Sequence, residues 1–254
     1  MNVNQPDLFD ENPVSGGFIP DSLNEEAKKF VENELFELSV QAYTTIMNAG
    51  MNDFFSKNEI NYYILKIFDS VCDAERRMEA YGGNCARGAD RQLALRTAAE
   101  TAAFDRSDSL VRAVLDAAYQ SGHEIHRLVG LLRFSPEIDG MWVARCAPDH
   151  SVLYVLADHF YMRFGEASWA IIDEKRGAAL VRQIDMEPVF GPVSDFPFLC
   201  ADKKPADNWE DLWRSYHRLI NIENRKNLNL QRQLMPSRYW KYLPEVNSPP
   251  GRYL

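Results

Sequence analysis

The side chains of this sequence that could carry acid-base chemistry are concentrated in its second half. All five histidines lie between residues 123 and 217, and carboxylates accompany several of them. Imidazole and carboxylate groups are the usual general acids and bases near neutral pH. A catalytic role would require a cleft in which several of them converge. The candidates for such a role are His126, Asp149, His150 and Glu223.

Glu223 is the most unusual of these carboxylates because of its expected position on a helix. Helical phasing from residue 209 onward places it on the same face as a row of apolar side chains. An unpaired carboxylate on such a face is costly, so Glu223 is expected to form an ion pair or to occupy a functional cleft with a shifted pKa. The remaining alternative is that the helix ends before residue 223.

The sequence predicts neither a metal site nor a bound cofactor. His123 and His126 are one residue too close together for the His-Glu-x-x-His zinc motif, and the four cysteines include no pair at metal-ligand spacing. The glycine-rich phosphate loop, the dinucleotide-binding glycine pattern, the serine-hydrolase elbow and the zinc deaminase pattern are all missing. The sequence therefore leaves open whether the protein is an enzyme.

The charges of the chain are distributed unevenly along its length. The formal net charge is -9, and residues 1–60 contain 11 acidic residues against three lysines. This acidic balance argues against a protein that coats nucleic acid through charge alone. From residue 213 to residue 254, however, eight Lys and Arg residues accompany only two glutamates.

The basic end of the chain also carries aromatic rings, and we call residues 209–244 the C-terminal segment. Guanidinium groups together with flat rings are suited to contact phosphates and to stack on bases. This composition favours a binding role for the segment, with nucleic acid as one candidate partner. The residues that would contact nucleic acid are Arg214, Arg218, Arg225, Arg232, Arg238, Tyr239, Trp240 and Lys241.

Three regions follow from the composition and periodicity of the chain, and the predicted fold class is α+β. Residues 1–21 contain prolines and a glycine pair with little periodicity, which is typical of a flexible leader. Residues 22–122 are predicted to form a helical subdomain. Two capping boxes, Ser22 with Glu25 and Ser56 with Glu59, each precede apolar residues at helical intervals.

Residues 123–254 are predicted to form the α+β region. Extended-type runs at residues 128–134 and 141–146 indicate one hairpin, and those at residues 168–173 and 178–184 indicate another. A helical pattern at residues 152–164 separates them and stops at a glycine. The order hairpin, helix, hairpin predicts an antiparallel sheet with a helix on one face.

The C-terminal segment is predicted to begin with an amphipathic helix, because Asp207 and Glu210 have capping-box spacing. Its charged face is interpreted either as a solvated surface or as a phosphate-binding stripe that includes Arg214, Arg218 and Arg225. Its apolar face is expected to belong to the core. The residues of that face are Trp209, Leu212, Trp213, Tyr216, Leu219 and Ile220.

A cytoplasmic location, with no membrane contact, is expected from the distribution of apolar residues. A membrane helix needs roughly 20 uninterrupted apolar residues, and no stretch of the chain approaches this length. Residues 1–10 also lack the basic region and apolar run of a secretion signal.

Several separate motifs resemble, in order and spacing, those of a bacterial domain of unknown function that is described as a probable DNA metabolism or repair protein. The resemblance covers residues 123–245, about half of the chain. The motifs are HRLVGLLRF at 126–134, APDH at 147–150, WAIID at 169–173, LWRSY at 212–216, IENRKN at 222–227, LQRQLMP at 230–236 and RYWK at 238–241.

What the resemblance implies is an association with other enzymes more than an activity. Members of that family are fused to uracil-DNA glycosylase-like domains or encoded beside a putative DNA-modifying radical-SAM protein. By analogy, the chain is expected to be an accessory or partner protein in DNA repair or modification, and a uracil-DNA glycosylase-like partner would act in trans.

Three hypotheses therefore stand at the level of sequence. The first is an accessory protein that binds DNA or a DNA-acting enzyme through its basic C-terminal segment. The second is a nucleic-acid-processing enzyme with a His/Asp/Glu acid-base site. The third is a protein-interaction module that does not contact nucleic acid.

Overall fold

The computed structural model describes residues 23–80, 89–137, 140–200 and 208–246, with the exception of a few side chains such as those of Trp209 and Glu223. The leader at residues 1–21 and the capping residues Ser22 and Asp207 lie outside these ranges. The chain divides into two compact units. We call Met1–His123 the helical unit and Glu124–Leu254 the α+β unit, and each is described by itself.

The described part of the helical unit consists of helices and turns. A π-helical turn, Val31–Leu35, separates the first two helices. The last helix begins in this unit and ends in the next. The helices are α1 Glu25–Phe30, α2 Phe36–Leu38, α3 Val40–Gly50, α4 Lys57–Ala80, α5 Ala89–Ala103 and α6 Ser109–Leu131.

The helix starts of this unit follow from short polar side chains. The predicted opening at Ser22 is wrong by two residues, because the side chain of Asn24 accepts a hydrogen bond from the Ala27 amide at 2.7 Å and caps α1. Ser56 precedes α4 as predicted, and its hydroxyl accepts from the Asn58 amide at 3.3 Å.

Apolar side chains from α1 to α6 form the core of the helical unit. Tyr63 is fully buried, and its hydroxyl donates to the Ala103 carbonyl oxygen at 3.0 Å. Burial raises the pKa of this phenol, so it stays neutral and serves as a satisfied core residue.

The α+β unit contains a five-stranded sheet in the order β1-β2-β3-β4-β5. The predicted hairpin, helix, hairpin arrangement is confirmed, with a fifth strand that the sequence did not indicate. The elements are β1 Phe134–Pro136, β2 Trp142–Cys146, α7 Ala157–Phe164, β3 Trp169–Asp173, β4 Ala178–Arg182 and β5 Val189–Pro192.

The sheet is mostly antiparallel, and one pair of strands departs from this pattern. Strands β2 and β3 are parallel, whereas the other three neighbouring pairs are antiparallel. Since α7 lies between β2 and β3 in the chain, it provides the crossover that a parallel pair requires. All five residues of β3 are buried, as expected for the central strand.

One strand boundary was predicted wrongly. Residues 128–131 belong to α6, and β1 begins only at Phe134. The buried side chains of α6 recur every three or four residues from Val111 through Ser121 to Leu128. Continued packing of this helical face outweighs the local strand propensity of the run.

The C-terminal segment folds as short helical pieces. Helix α8 spans Asn208–Ile220 and helix α9 spans Leu228–Leu234. Two 3-10 helices, Glu223–Arg225 and Ser237–Tyr242, follow α8 and α9 respectively. Among the helices of the described ranges, none is both long enough and apolar enough to span a membrane.

Candidate functional site

A buried carboxylate on α6, that of Glu124, organises the part of the α+β unit where two candidate residues lie. Its side chain is 1% exposed. Oε1 accepts the backbone amide of Asp149 at 2.9 Å, and Oε2 accepts the backbone amide of His150 at 2.8 Å. Oε1 also accepts the hydroxyl of Tyr239 and, at 3.2 Å, Nη2 of Arg238. Two backbone amides, a phenol and a guanidinium therefore meet on one carboxylate.

The electrostatics of this cluster keep Glu124 ionised. Burial on its own would raise the pKa of the carboxyl, but the hydrogen bonds from Tyr239 and from the amides of Asp149 and His150 lower it below its usual value. Burial and the bond to Glu124 raise the pKa of Tyr239. A saturated carboxylate with a depressed pKa is a poor general base, so Glu124 acts as a structural clamp.

The backbone amides of Asp149 and His150 both bind the Glu124 carboxylate, but the side chains of these two residues have different surroundings. The Asp149 carboxylate pairs with Nη1 of Arg238 at 3.0 Å. The His150 side chain is buried, with 6% exposure. His126 is exposed on α6, and the Glu223 side chain lies outside the described residues. Of the candidates with described side chains, Asp149 is therefore engaged in an ion pair, His150 is buried and His126 is exposed.

The expected helical position of Glu223 is wrong. Helix α8 ends at Ile220, and residues Glu223–Arg225 form a separate 3-10 turn. Because the turn changes the helical period, the phase of α8 does not extend to residue 223. Of the alternatives raised by the sequence, a helix end before this residue is the one observed.

A second buried carboxylate, that of Asp173 at the end of β3, holds the turn to β4. Its Oδ1 accepts the Lys175 amide at 2.9 Å, and its Oδ2 pairs with Nη1 of Arg176 at 2.7 Å. Nη1 of Arg176 also donates to the Pro148 carbonyl at 3.1 Å, and Nη2 donates to that of Asp149. This turn thus contacts the same loop, residues 148–150, that Glu124 binds.

Five of the eight residues predicted to contact nucleic acid are engaged within the α+β unit. Arg238 and Tyr239 bind Glu124, and Nζ of Lys241 lies 3.3 Å from the Glu174 carboxylate. Nε1 of Trp240 donates to the Met235 carbonyl at 2.8 Å. Arg214 completes the set, with contacts to Glu210, Asp211 and the Pro244 carbonyl. These contacts give the five residues structural roles.

The other three arginines, Arg218, Arg225 and Arg232, have exposed side chains. None of them forms an ion pair with a described residue. Arg225 lines a shallow cavity of about 300 Å³ at the end of α8, together with His217 and Ile220. Among the eight predicted residues, these three have guanidinium groups that are available to an anionic partner.

Helix α8 is held by one residue of its predicted charged face, Arg214, and by one residue of its predicted apolar face, Trp213. Nε of Arg214 donates to the Pro244 carbonyl at 3.2 Å, and Nε1 of Trp213 donates to the Glu245 carboxylate at 3.0 Å. Arg133, which lies over the Trp213 ring, also binds Glu245. Hydrogen bonds from Trp213 and Arg214 therefore hold α8 against residues 244 and 245.

The described apolar side chains of α8 are not buried, so the expectation that they form core is wrong. Those with described side chains are 38–86% exposed, and Leu219 is the most exposed of them. We call them the α8 apolar row. Nearby in sequence, Leu228, Leu230 and Leu234 of α9 are 48–65% exposed as well. The members of the row are Leu212, Trp213, Tyr216, Leu219 and Ile220.

Sequence reasoning missed Glu124 and Asp173, although each leaves a signal. Glu124 continues the spacing of buried positions on α6, between Ser121 and Leu128. Because burial of an unpaired carboxylate is costly, a glutamate at this position is expected to have hydrogen-bond or ion-pair partners. Asp173 begins the turn Asp-Glu-Lys-Arg-Gly, in which an aspartate accepts the amide two residues on and Gly177 has a positive φ of 61°.

Comparison with known proteins places part of the chain in a family. Residues 91–245 match the family described as a domain of unknown function, DUF4130. No curated protein and no solved structure matches the chain. The matched range exceeds half of the 254 residues and contains Glu124, Asp173 and α8. The chain therefore belongs to the DUF4130 family.

Proposed function

We propose that this protein is an accessory protein in DNA repair or modification that binds a DNA-acting enzyme through its C-terminal segment. The observation that carries the binding role is the exposure of the α8 apolar row. Fully burying a side chain such as Leu contributes about 1.5–3 kcal/mol, and monomeric proteins rarely leave large contiguous apolar patches in solvent. A partner that covers this row would gain that stabilisation.

The composition of the row suits a protein partner. Trp, Tyr and Arg are enriched among the residues that dominate binding energy, and this surface carries Trp213 and Tyr216 with ring centroids 5.7 Å apart. The hydrogen bond to Glu245 and the guanidinium of Arg133 hold the Trp213 ring in place. A ring that is ordered before binding loses less entropy when the complex forms.

The DNA-related part of the proposal rests on the resemblance of the motifs in the second half of the chain. This resemblance implies that the partner is a uracil-DNA glycosylase-like enzyme or a putative radical-SAM DNA-modifying protein. The proposed location of the complex is the cytoplasm. DNA itself is a second candidate partner, which the exposed guanidinium groups of Arg218, Arg225 and Arg232 favour.

An acid-base enzyme receives less support from the geometry. The carboxylates of Glu124 and Asp173 are filled by hydrogen bonds, and the carboxylate of Asp149 pairs with Arg238. A general base must reach a substrate proton directly or through one water. Binding therefore explains more of the observed arrangement than catalysis does.

Affinity capture from the native cell, with and without nuclease, tests this proposal. The wild-type chain is expected to retain a DNA-acting enzyme, identified by mass spectrometry, whether or not nuclease is added. Leu219→Glu should abolish this capture, because it places a charge at the most exposed position of the apolar row. Met162→Glu is the matched control, since Met162 is also an exposed helix residue of the α+β unit, at 66%.

Other outcomes of the capture distinguish the alternatives. Capture that depends on nuclease-sensitive material and is lost in the double variant Arg218→Ala/Arg225→Ala would favour direct binding to DNA. Equal capture by the wild type and Leu219→Glu would overturn the role of the row. A partner without a function on DNA would support the interaction-module hypothesis instead.

A further inference from the structure

A groove in the helical unit, remote in sequence from the C-terminal segment, has the features of a ligand site. It lies between α3 and α6, next to the loop that connects α5 to α6, and has a volume of about 560 Å³. Small-molecule sites usually measure about 300–1,000 Å³. The groove is therefore large enough for a ligand of the size of a mononucleotide.

Three polar side chains of different chemistry line this groove without a partner. Arg106, Asp116 and Asn48 form no hydrogen bond or ion pair with any residue in the described ranges. Asp105 and Asp108 lie close to Arg106 in sequence, but both of these carboxylates pair with Lys66. A cation, an anion and an amide are thus left facing one groove.

An aromatic pair supplies a flat surface in the same groove. Tyr119 and His123 lie one turn apart on α6, with ring centroids 3.9 Å apart. Tyr119 remains 65% exposed, so its ring is accessible from outside the pair. Exposed aromatic rings bind heteroaromatic bases by stacking.

A glycine of α6 shapes the floor of the groove. Glycine is unfavourable in a helix interior compared with alanine, so Gly122 needs a packing reason. A Cβ atom at this position would lie 3.3 Å from Nδ2 of Asn48. The missing side chain therefore lets the amide of Asn48, which also lines the groove, lie against α6.

We propose that this groove binds a ribonucleoside 5′-monophosphate. The base would stack on Tyr119 and form hydrogen bonds with the Asn48 amide, which can both donate and accept. The Asp116 carboxylate would accept the ribose hydroxyls, as acidic residues do in dinucleotide sites. The Arg106 guanidinium would bind the phosphate. This site goes beyond the proposed accessory function, because it uses no residue of the C-terminal segment.

Calorimetric titration of the full chain with adenosine 5′-monophosphate, adenosine, deoxyadenosine 5′-monophosphate and inorganic phosphate tests the site. The ribonucleotide is expected to bind most tightly. Tyr119→Ala should weaken both the ribonucleotide and adenosine at least tenfold. Arg106→Gln should weaken the ribonucleotide about tenfold and leave adenosine unchanged. Asp116→Asn should reduce the preference for ribose over deoxyribose.

Matched exposed residues outside the groove serve as controls. Tyr62→Ala removes a ring that is 66% exposed on α4, and Arg112→Gln removes an exposed cation of α6. Both variants should bind the ribonucleotide like the wild type. The proposal is overturned by absence of binding at millimolar ribonucleotide, by unchanged affinity in Tyr119→Ala, or by equal losses in the groove and control variants.

Discussion

Glu124 and the α8 apolar row depart from ordinary side-chain placement in opposite directions within the same unit. The carboxylate is buried, whereas the large apolar side chains are exposed. Glu124 is satisfied by four donors from its own unit, but the row has no cover in the described part of the chain. The comparison distinguishes a structural feature from a binding surface. A buried charge with all its hydrogen-bond partners stabilises the fold, whereas an exposed apolar face remains available to a partner.

Removal of the clamp should produce the largest effect on stability. Glu124→Ala leaves the Tyr239 hydroxyl and two backbone amides without their acceptor, so the free energy of unfolding should fall by about 3 kcal/mol or more. Glu166→Ala, at an exposed position of the same unit, is the control. All five tryptophans lie beyond residue 141, so urea unfolding followed by tryptophan fluorescence monitors this unit. A loss below about 1 kcal/mol would contradict the clamp.

The pH dependence of this stability should identify the charge on Glu124 as its source. Because the folded pKa lies below the unfolded value of about 4.3, the contribution is complete above that pH and disappears as the pH falls through the folded pKa. The difference in the free energy of unfolding between wild type and Glu124→Gln should therefore narrow as the pH is lowered below about 4.3 in the same urea assay. If the difference in the free energy of unfolding stayed constant as the pH fell, the shape of the side chain and not its charge would account for the effect.

Substitution in the α8 apolar row should have the smallest effect on stability. Leu219→Glu should change the free energy of unfolding by no more than about 0.5 kcal/mol, because the side chain is already 86% exposed. Leu156→Ala, at a fully buried position of the same unit, should cost about 2–5 kcal/mol in the same measurement. If Leu219→Glu were as destabilising as Leu156→Ala, the row would belong to the core and the comparison would fail.

Much of the fold could be predicted because it depends on local patterns. The strand pairs around α7 follow from short apolar runs separated by turn residues, and the start of α4 follows from the capping spacing of Ser56. Residues 128–131 were misassigned because a strand-like run lies at the end of a long amphipathic helix, whose packing continues through Leu128. The position of Glu124 could have been noticed from its spacing on α6, but its four donors come from residues at least 25 positions away.

The sequence by itself determined the α+β class, the amphipathic character of α8 and the concentration of arginines near the end of the chain. These properties depend on residue types and on spacing along a single element. Only the tertiary structure decided which side chains of α8 are held, which arginines are engaged, and where Asp149 and His150 lie. Each of those outcomes depends on a partner distant in sequence, such as Glu245 for Trp213 or Glu124 for Tyr239, and helical periodicity carries no information about such partners.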